Sequence, residues 1–455
     1  MEDGAKLKIA DPVAFSLETA TGDIPAATRR RAAFLVLDTI GVCIAASNLE
    51  AGGIAREAAV RLYAAPTPDT EATLLFDGRK ASIPGAAFAA ASQIDNLDAH
   101  DGFNPVKGHI GVAVVPALIA VAEHLLALSG DDALAALVVG YEVAGRAGLA
   151  LHGTVTDYHT SGAWNALGVA AMAARLRGAS YDTLRQALGI AEYHGPRSQM
   201  MREIANPTML HDGSGMGALV GLSSVLMAEM GFIGAPAITV ESEEAAGYWA
   251  DLGSVWQTDV QYIKPYPICR WAHAAIDAAH ELCVEHRISA DDISNIRIAS
   301  FHNAVQLFPG MPGTTSEAQY SLPFAVAKMI INGRVGVEDI TGDALTDPDA
   351  ARLVALTEMV TAPKHEKRFP AGRSADVTLT LKSGDIFASG FVEARGGPER
   401  PYSEADIIEK FTDFAAPVVG DRRALAIRDA AIGLSEPNSQ FSELARHLTD
   451  PPRSA

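Results

Sequence analysis

The chain has 455 residues, 48% hydrophobic and 20% charged, which is the make-up of a protein with a large core and not of a disordered one. Lysine plus arginine number 36 against 55 for aspartate plus glutamate, a formal charge of −19. That balance excludes an extended basic face for nucleic acid or anionic lipid, while leaving room for a locally basic pocket that takes an anionic substrate.

Three cysteines, Cys43, Cys269 and Cys283, are too few for a disulfide framework and point to a reducing compartment. The opening MEDGAKLKIADPVAF has no apolar leader, and no uninterrupted apolar run reaches about 18 residues. A cytoplasmic protein with no membrane and no nucleic-acid partner is expected.

Over the first 260 residues, apolar periodicity and alanine content predict helix after helix. The segments are Pro25 to Ala46, Pro84 to Leu97, Pro116 to Leu128, Asp132 to Leu151, Ser161 to Arg177, Ser180 to Tyr193 and Gly213 to Met230. One interruption, Ala72 to Ser82, reads as a hairpin around Asp77-Gly78. Near Val260 the character changes to α+β. Strand Ile293 to Ser300 lies between helices Trp271 to His286 and Gln319 to Ile331, and Ala375 to Leu381 with Ile386 to Val392 form an antiparallel hairpin, without repeated βαβ units. Helical periodicity returns from Ser403. The fold class is therefore mainly α: a large helical domain over residues 1–259, a smaller α+β domain over 260–397, and C-terminal helices over 403–455 that rejoin the first domain.

No GxGxxG follows a strand, and there is no GxxxxGK[ST], CxxC, HExxH or GxSxG. Polar residues instead concentrate in four segments of an otherwise apolar chain. The first, Asp95 to Asp101 with Gly108-His109, offers His100 and His109 as bases and Asp95 or Asp98 to orient an imidazole. A solvated loop is the plainer alternative. In the second, Asp157 to Gly162, Tyr158 and His159 precede a helix start. The third, Asn206 to Gly215, contains His211. The fourth is Lys264-Pro-Tyr-Pro-Ile-Cys269-Arg270-Trp-Ala-His273, where two prolines stiffen the backbone and Lys264 with Arg270 can grip a carboxylate. His273, Asp277 and His280 have a spacing that permits a metal, although a solvated helix face accounts for it better. Histidines, carboxylates and cations without a cofactor motif suit proton transfer next to a carboxylate.

At these segments the chain resembles the MmgE/PrpD family over nearly its whole length. Leu37-Asp38-Thr39-Ile40-Gly41, the Asp95 to His109 stretch, Tyr158-His159-Thr160-Ser161-Gly162, Lys264 to His273, and Glu317-Ala-Gln-Tyr320-Ser-Leu-Pro323 match its motifs in order. The resemblance implies a helical domain with a smaller α+β lid, a homodimer, and a site that needs no cofactor and no metal. It carries Asp95, His109, His159 and Lys264 over as catalytic residues, with His100, Tyr158, Arg270, Cys269, His273 and His211 around the substrate. The sequence also departs from the family pattern. Thr208 replaces a lysine, Cys269 a histidine and Phe324 a tyrosine of the decarboxylase branch; Leu97 replaces an aspartate and Ala99 a threonine. The retained set can supply two bases to opposite faces of one carbon. The first expectation is therefore an epimerase acting on a small di- or tricarboxylate such as iminodisuccinate. A 2-methylcitrate-type dehydratase, a cis-aconitate-type decarboxylase, or a non-catalytic polycarboxylate binder are the alternatives.

Overall fold

A computed structural model describes residues 11–125 and 127–452. Its helical part begins with α1 (Pro12–Glu18), which Asp11 caps through the amides of Val13 and Ala14. Then follow α2 (Ala26–Ala46) and α3 (Glu50–Leu62). Strands β1 (Glu71–Thr73) and β2 (Lys80–Ser82) pair antiparallel across the expected turn, where Gly78 has φ 85°. The series continues with α4 (Ile83–Asp95), α5 (Gly111–Ala122), α6 (Gly130–Thr154), α7 (Gly162–Leu176), α8 (Tyr181–His194), α9 (Met200–Ala205) and α10 (Ser214–Glu229). Helices α1, α3 and α9 were not among the segments that periodicity singled out.

Alanine and glycine on the facing sides let these helices pack closely, α7 against both α6 and α10, and α4 against α5 and α10. Helix α5 departs from expectation, starting at Gly111 with Pro116 inside it. Every residue of α5 is buried, so tertiary packing outweighs the backbone hydrogen bond that the proline removes. It stops at Ala122 because the next residue, Glu123, turns away to accept from Thr73 N at 2.7 Å and from Lys80. Helix α6 is long and apolar enough to cross a bilayer, yet it is wrapped by neighbours. At its middle Glu142 meets Arg146 at 3.5 Å and accepts from Thr258 N at 2.9 Å.

The α+β part holds α11 (His273–His286), β3 (Ile293–Ser300), α12 (Leu322–Asn332), α13 (Pro348–Ala355), β4 (Thr357–Thr361), β5 (Ser374–Leu381), β6 (Ile386–Ala388) and β7 (Val392–Glu393). The strand order is β4-β3-β5-β6, with β7 on β5. Ile298 pairs with Val377 of antiparallel β5 and with Met359 of parallel β4. The parallel pair is the one helical crossover in an otherwise antiparallel sheet. Last, α14 (Glu404–Val419), started by a Ser403–Asp406 capping box, and α15 (Asp421–Gly433) run back and pack on α2.

Candidate active site

The segment that could have been a solvated loop is buried. His100 and Asp101 are inaccessible, and Asp95, Asp98 and His109 are 2%, 3% and 6% exposed. Two lysines from distant parts of the chain hold it. Lys264 Nζ donates to the Asp98 carbonyl oxygen at 3.0 Å and pairs with the Asp98 carboxylate. Lys410 Nζ, from α14, donates to the Ala99 carbonyl oxygen at 2.7 Å and to Asp38 Oδ1 at 2.5 Å. Asp98 has φ 54°, a conformation that costs an ordinary residue about 1 kcal/mol and is held here by those contacts. Gly108 is needed farther along, because a Cβ there would stand 2.7 Å from the Trp164 ring and 2.5 Å from Ser161 Oγ.

This loop, Tyr158 ahead of α7 and residue Asp212 face Lys264, Cys269, Arg270, Tyr320 and Arg373 of the C-terminal half across a cavity of about 20 Å³. His109 Nδ1 lies 2.7 Å from the Asp101 carbonyl oxygen, which can only accept, so Nδ1 carries the proton and Nε2 keeps its lone pair. Nε2 faces Asp212 Oδ2 at 3.4 Å. Burial, and then the Lys264 charge, push His109 down to about 3, so the ring is neutral at ordinary pH. Ser161 joins the parts: it accepts from His109 N at 2.9 Å and donates through Oγ to Asp212 Oδ1 at 2.7 Å.

Burial raises Asp212, and it raises Asp95 well above the usual range with help from the Asp212 charge. Glu203, which accepts from the Tyr320 hydroxyl, is likewise raised by burial and by Asp212. The carboxyls beside the cavity therefore retain protons more readily than surface carboxyls. Burial also raises Tyr158, Tyr262 and Tyr320, which stay protonated donors, and pushes the Cys269 thiol up to about 12, so it is not a thiolate.

His109, Lys264, Tyr158, Cys269 and Arg270 thus line one cavity. The other expected residues do not. Asp95 accepts from Ser214 N at 3.0 Å, at the start of α10, and comes to 3.8 Å from His100 Nε2; it does not orient His109 or His159. His100 packs on His109 with ring centroids 4.3 Å apart, and neither of its ring nitrogens has a partner. His159 bridges to Gln199 and stacks on His152 with centroids 6.4 Å apart, away from the cavity. Tyr158 lines the cavity, and its ring also meets His152, with centroids 5.6 Å apart. His211 borders a neighbouring cavity of about 480 Å³ together with Asp95 and Glu203.

His273 is structural: Nε2 lies 2.8 Å from the Ile268 carbonyl oxygen and Nδ1 3.4 Å from Arg270. Of the helix face expected to be solvated, His273 and Asp277 are buried and His280 is half-buried, and Asp277 takes Tyr266 and Arg395 as partners. Among the described residues, Asp98, His100 and His109 bring possible ligand atoms within 4.8 Å of one another, but the Lys264 ammonium already supplies positive charge at Asp98.

Sequence reasoning missed Asp212, Glu203, Tyr262, Tyr320, Lys107 and Arg373. Asp212 had a signal in its neighbour His211. Tyr262 precedes Lys264 by two, the spacing that puts side chains on one side of an extended segment. Arg373 had none.

Two family models cover most of the chain. The MmgE/PrpD N-terminal domain matches residues 12–254 and the MmgE/PrpD C-terminal domain residues 266–434. The chain belongs to the MmgE/PrpD family. Among curated relatives, the cis-aconitate decarboxylase of Homo sapiens is 25% identical, covering 86% of this chain and 84% of that protein. The cis-aconitate decarboxylase of Aspergillus terreus is 25% identical, over 91% and 90%. The cis-aconitate decarboxylase-like protein oryM of Aspergillus oryzae is 24% identical, over 94% of each. Within this MmgE/PrpD chain, Tyr320 brings a phenol to the cavity lining.

Proposed function

We propose that the protein is a lyase that removes a carboxylate as CO₂ from a small unsaturated polycarboxylate of the cis-aconitate class. The observation that carries this reading is that one imidazole, His109, lines the cavity among the described residues, where the Lys264 ammonium also stands. Decarboxylation breaks a carbon–carboxylate bond, leaves the electron pair on carbon, and returns one proton to the carbanion. Lys264 neutralises the carboxylate into which that pair delocalises, in a site shielded from water. His109 Nε2 and Asp212 Oδ2 form the pair that delivers the proton, and Ser161 keeps them in register. Epimerisation needs a second base on the opposite face, and His159 lies outside the cavity. Full-length relatives named as decarboxylases support the same choice.

The epimerase reading retains one support, the replacement of decarboxylase-branch residues by Thr208, Cys269 and Phe324. Incubation in D₂O with cis-aconitate, methylcitrate and each iminodisuccinate stereoisomer, followed by NMR, separates the readings. CO₂ release with one deuteron incorporated is expected from cis-aconitate. Inversion of iminodisuccinate without CO₂ would replace the lyase by an epimerase, and binding without any exchange would leave a polycarboxylate-binding homologue.

A further inference from the structure

Most fully buried cations of the protein have a carboxylate partner: Lys264 has Asp98, Lys410 has Asp38 and Arg146 has Glu142. Arg373, 3% exposed, pairs with none among the described residues, and neither does Arg270, whose guanidinium is spent on the carbonyl oxygens of Ala394 and Arg395. Arg373 Nη1 donates to the carbonyl oxygens of Pro370 and Gly372, its Nη2 reaches the Asn104 carbonyl oxygen at a long 3.4 Å, and its buried Nε has no partner. Lys107 is equally without an ion pair among those residues, and its Nζ lies over the Tyr158 ring at 4.2 Å. Both line the cavity that contains His109 and Lys264. Each is depressed by burial, Arg373 to about 10, and the Arg373 charge also lowers Lys107. A buried guanidinium and a half-buried ammonium lining one cavity without an anion is a costly arrangement, and one that a bound anion would relieve.

The position of the pair is as informative as its charge. Lys107 belongs to the loop between α4 and α5, and Arg373 directly precedes β5. The two segments touch through weak bonds, Asn104 Nδ2 to the Ala371 carbonyl oxygen at 3.3 Å and Arg373 Nη2 to the Asn104 carbonyl oxygen at 3.4 Å. The cavity of about 20 Å³ has room for about one water. A polycarboxylate therefore fits only once the cavity widens, and the weakly bonded junction of these two segments borders it.

We propose that Lys107 and Arg373 form a carboxylate subsite, closed between the two halves of the protein, which grips a substrate carboxylate other than the one held at Lys264. This rests on the polycarboxylate substrate class proposed above. The guanidinium fork suits a bidentate carboxylate and the ammonium adds a point charge, so the subsite selects substrates with an additional carboxylate.

The test is calorimetric binding of tricarballylate, a saturated tricarboxylate, to the full-length wild type, Arg373→Met and Lys107→Met, each checked for folding by circular dichroism. Losing a charged hydrogen-bonding partner should weaken binding about 10- to 100-fold in each variant. Lys107 is half-buried, so its variant keeps the test open if Arg373→Met does not fold. Affinities within twofold of wild type in the folded variants would overturn the subsite, as would absence of binding to the wild type. If the variants lose tricarballylate while the wild type turns over no polycarboxylate, the subsite stands and the lyase reading falls. If they bind normally while the wild type decarboxylates cis-aconitate, the lyase reading stands and the subsite falls.

Discussion

Lys410 offers a direct measure of how the C-terminal helices hold the active-site loop. Its ammonium is 5% exposed, bonded to Asp38 Oδ1 at 2.5 Å and to the Ala99 carbonyl oxygen at 2.7 Å. Burial is the largest influence on both partners, raising Asp38 and lowering Lys410 in spite of their mutual attraction. The pair is thus costly to desolvate, and costlier still to break. Lys410→Met leaves the Asp38 carboxylate buried and alone, which should destabilise by about 3–5 kcal/mol. Replacing both residues, as Asp38→Leu with Lys410→Met, removes the orphaned charge and should recover most of that loss, because buried ion pairs exchanged for apolar residues are often neutral in stability. The Ala99 carbonyl oxygen still lacks its donor in the double variant, so the loop carrying Asp98 and His100 stays loosened and activity should not return with stability. Urea unfolding followed by tryptophan fluorescence, alongside turnover of cis-aconitate, reads both quantities. A single variant within about 1 kcal/mol of wild type, or a double variant as unstable as the single, would refute the reasoning.

Further outcomes follow from the site. His109→Ala should lower kcat by about 10²–10⁴-fold, whereas His159→Ala, outside the cavity, should stay well short of that range; equal losses measured by steady-state kinetics would restore His159 to the chemistry. Asp101 is raised by burial from 3.8 to about 7, so the folded protein holds this proton more tightly than the unfolded chain. Its contribution is neutral below about pH 4, grows more unfavourable as pH rises toward 7, and levels off above, at about 4 kcal/mol. Asp101→Asn should therefore stabilise at pH 8 and not at pH 4, and an identical gain at both, read by urea unfolding, would count against this assignment. A methyl group on Gly102 would collide with the Tyr262 hydroxyl and stand 2.8 Å from His109 Nδ1. Gly102→Ala should cost about 1–3 kcal/mol and displace His109, seen as a fall in both melting temperature and kcat. The homodimer expected from the family resemblance should appear in light scattering at twice the 47.7 kDa chain mass, and a monomer at all concentrations would remove it.

Periodicity was enough for α2, α4, α6, α7, α8 and α10, for β3 over its full length and for the β5–β6 hairpin, because amphipathic spacing is a local property that survives into the fold. The motif segments likewise exposed His109, Lys264, Tyr158, Cys269 and Arg270 by residue type and company. Which side of the backbone each group faces was not legible. His159 and Tyr158 are neighbours in the chain and both pack on His152, yet only Tyr158 lines the cavity. Asp95, prominent in its motif, is spent on the start of α10, while Asp212 meets His109 through Ser161, 51 residues away in the chain. Arg373 and Lys410 lie in unremarkable stretches and Lys107 in a motif loop that gave it no role, and they acquire meaning only in the company of groups from distant segments. Their burial, and the loss of water around them, is a property of tertiary packing. It decides which carboxyls keep protons, which cations lack partners and where an anion would be welcome, because desolvation depends on what closes over a group and not on its neighbours in sequence.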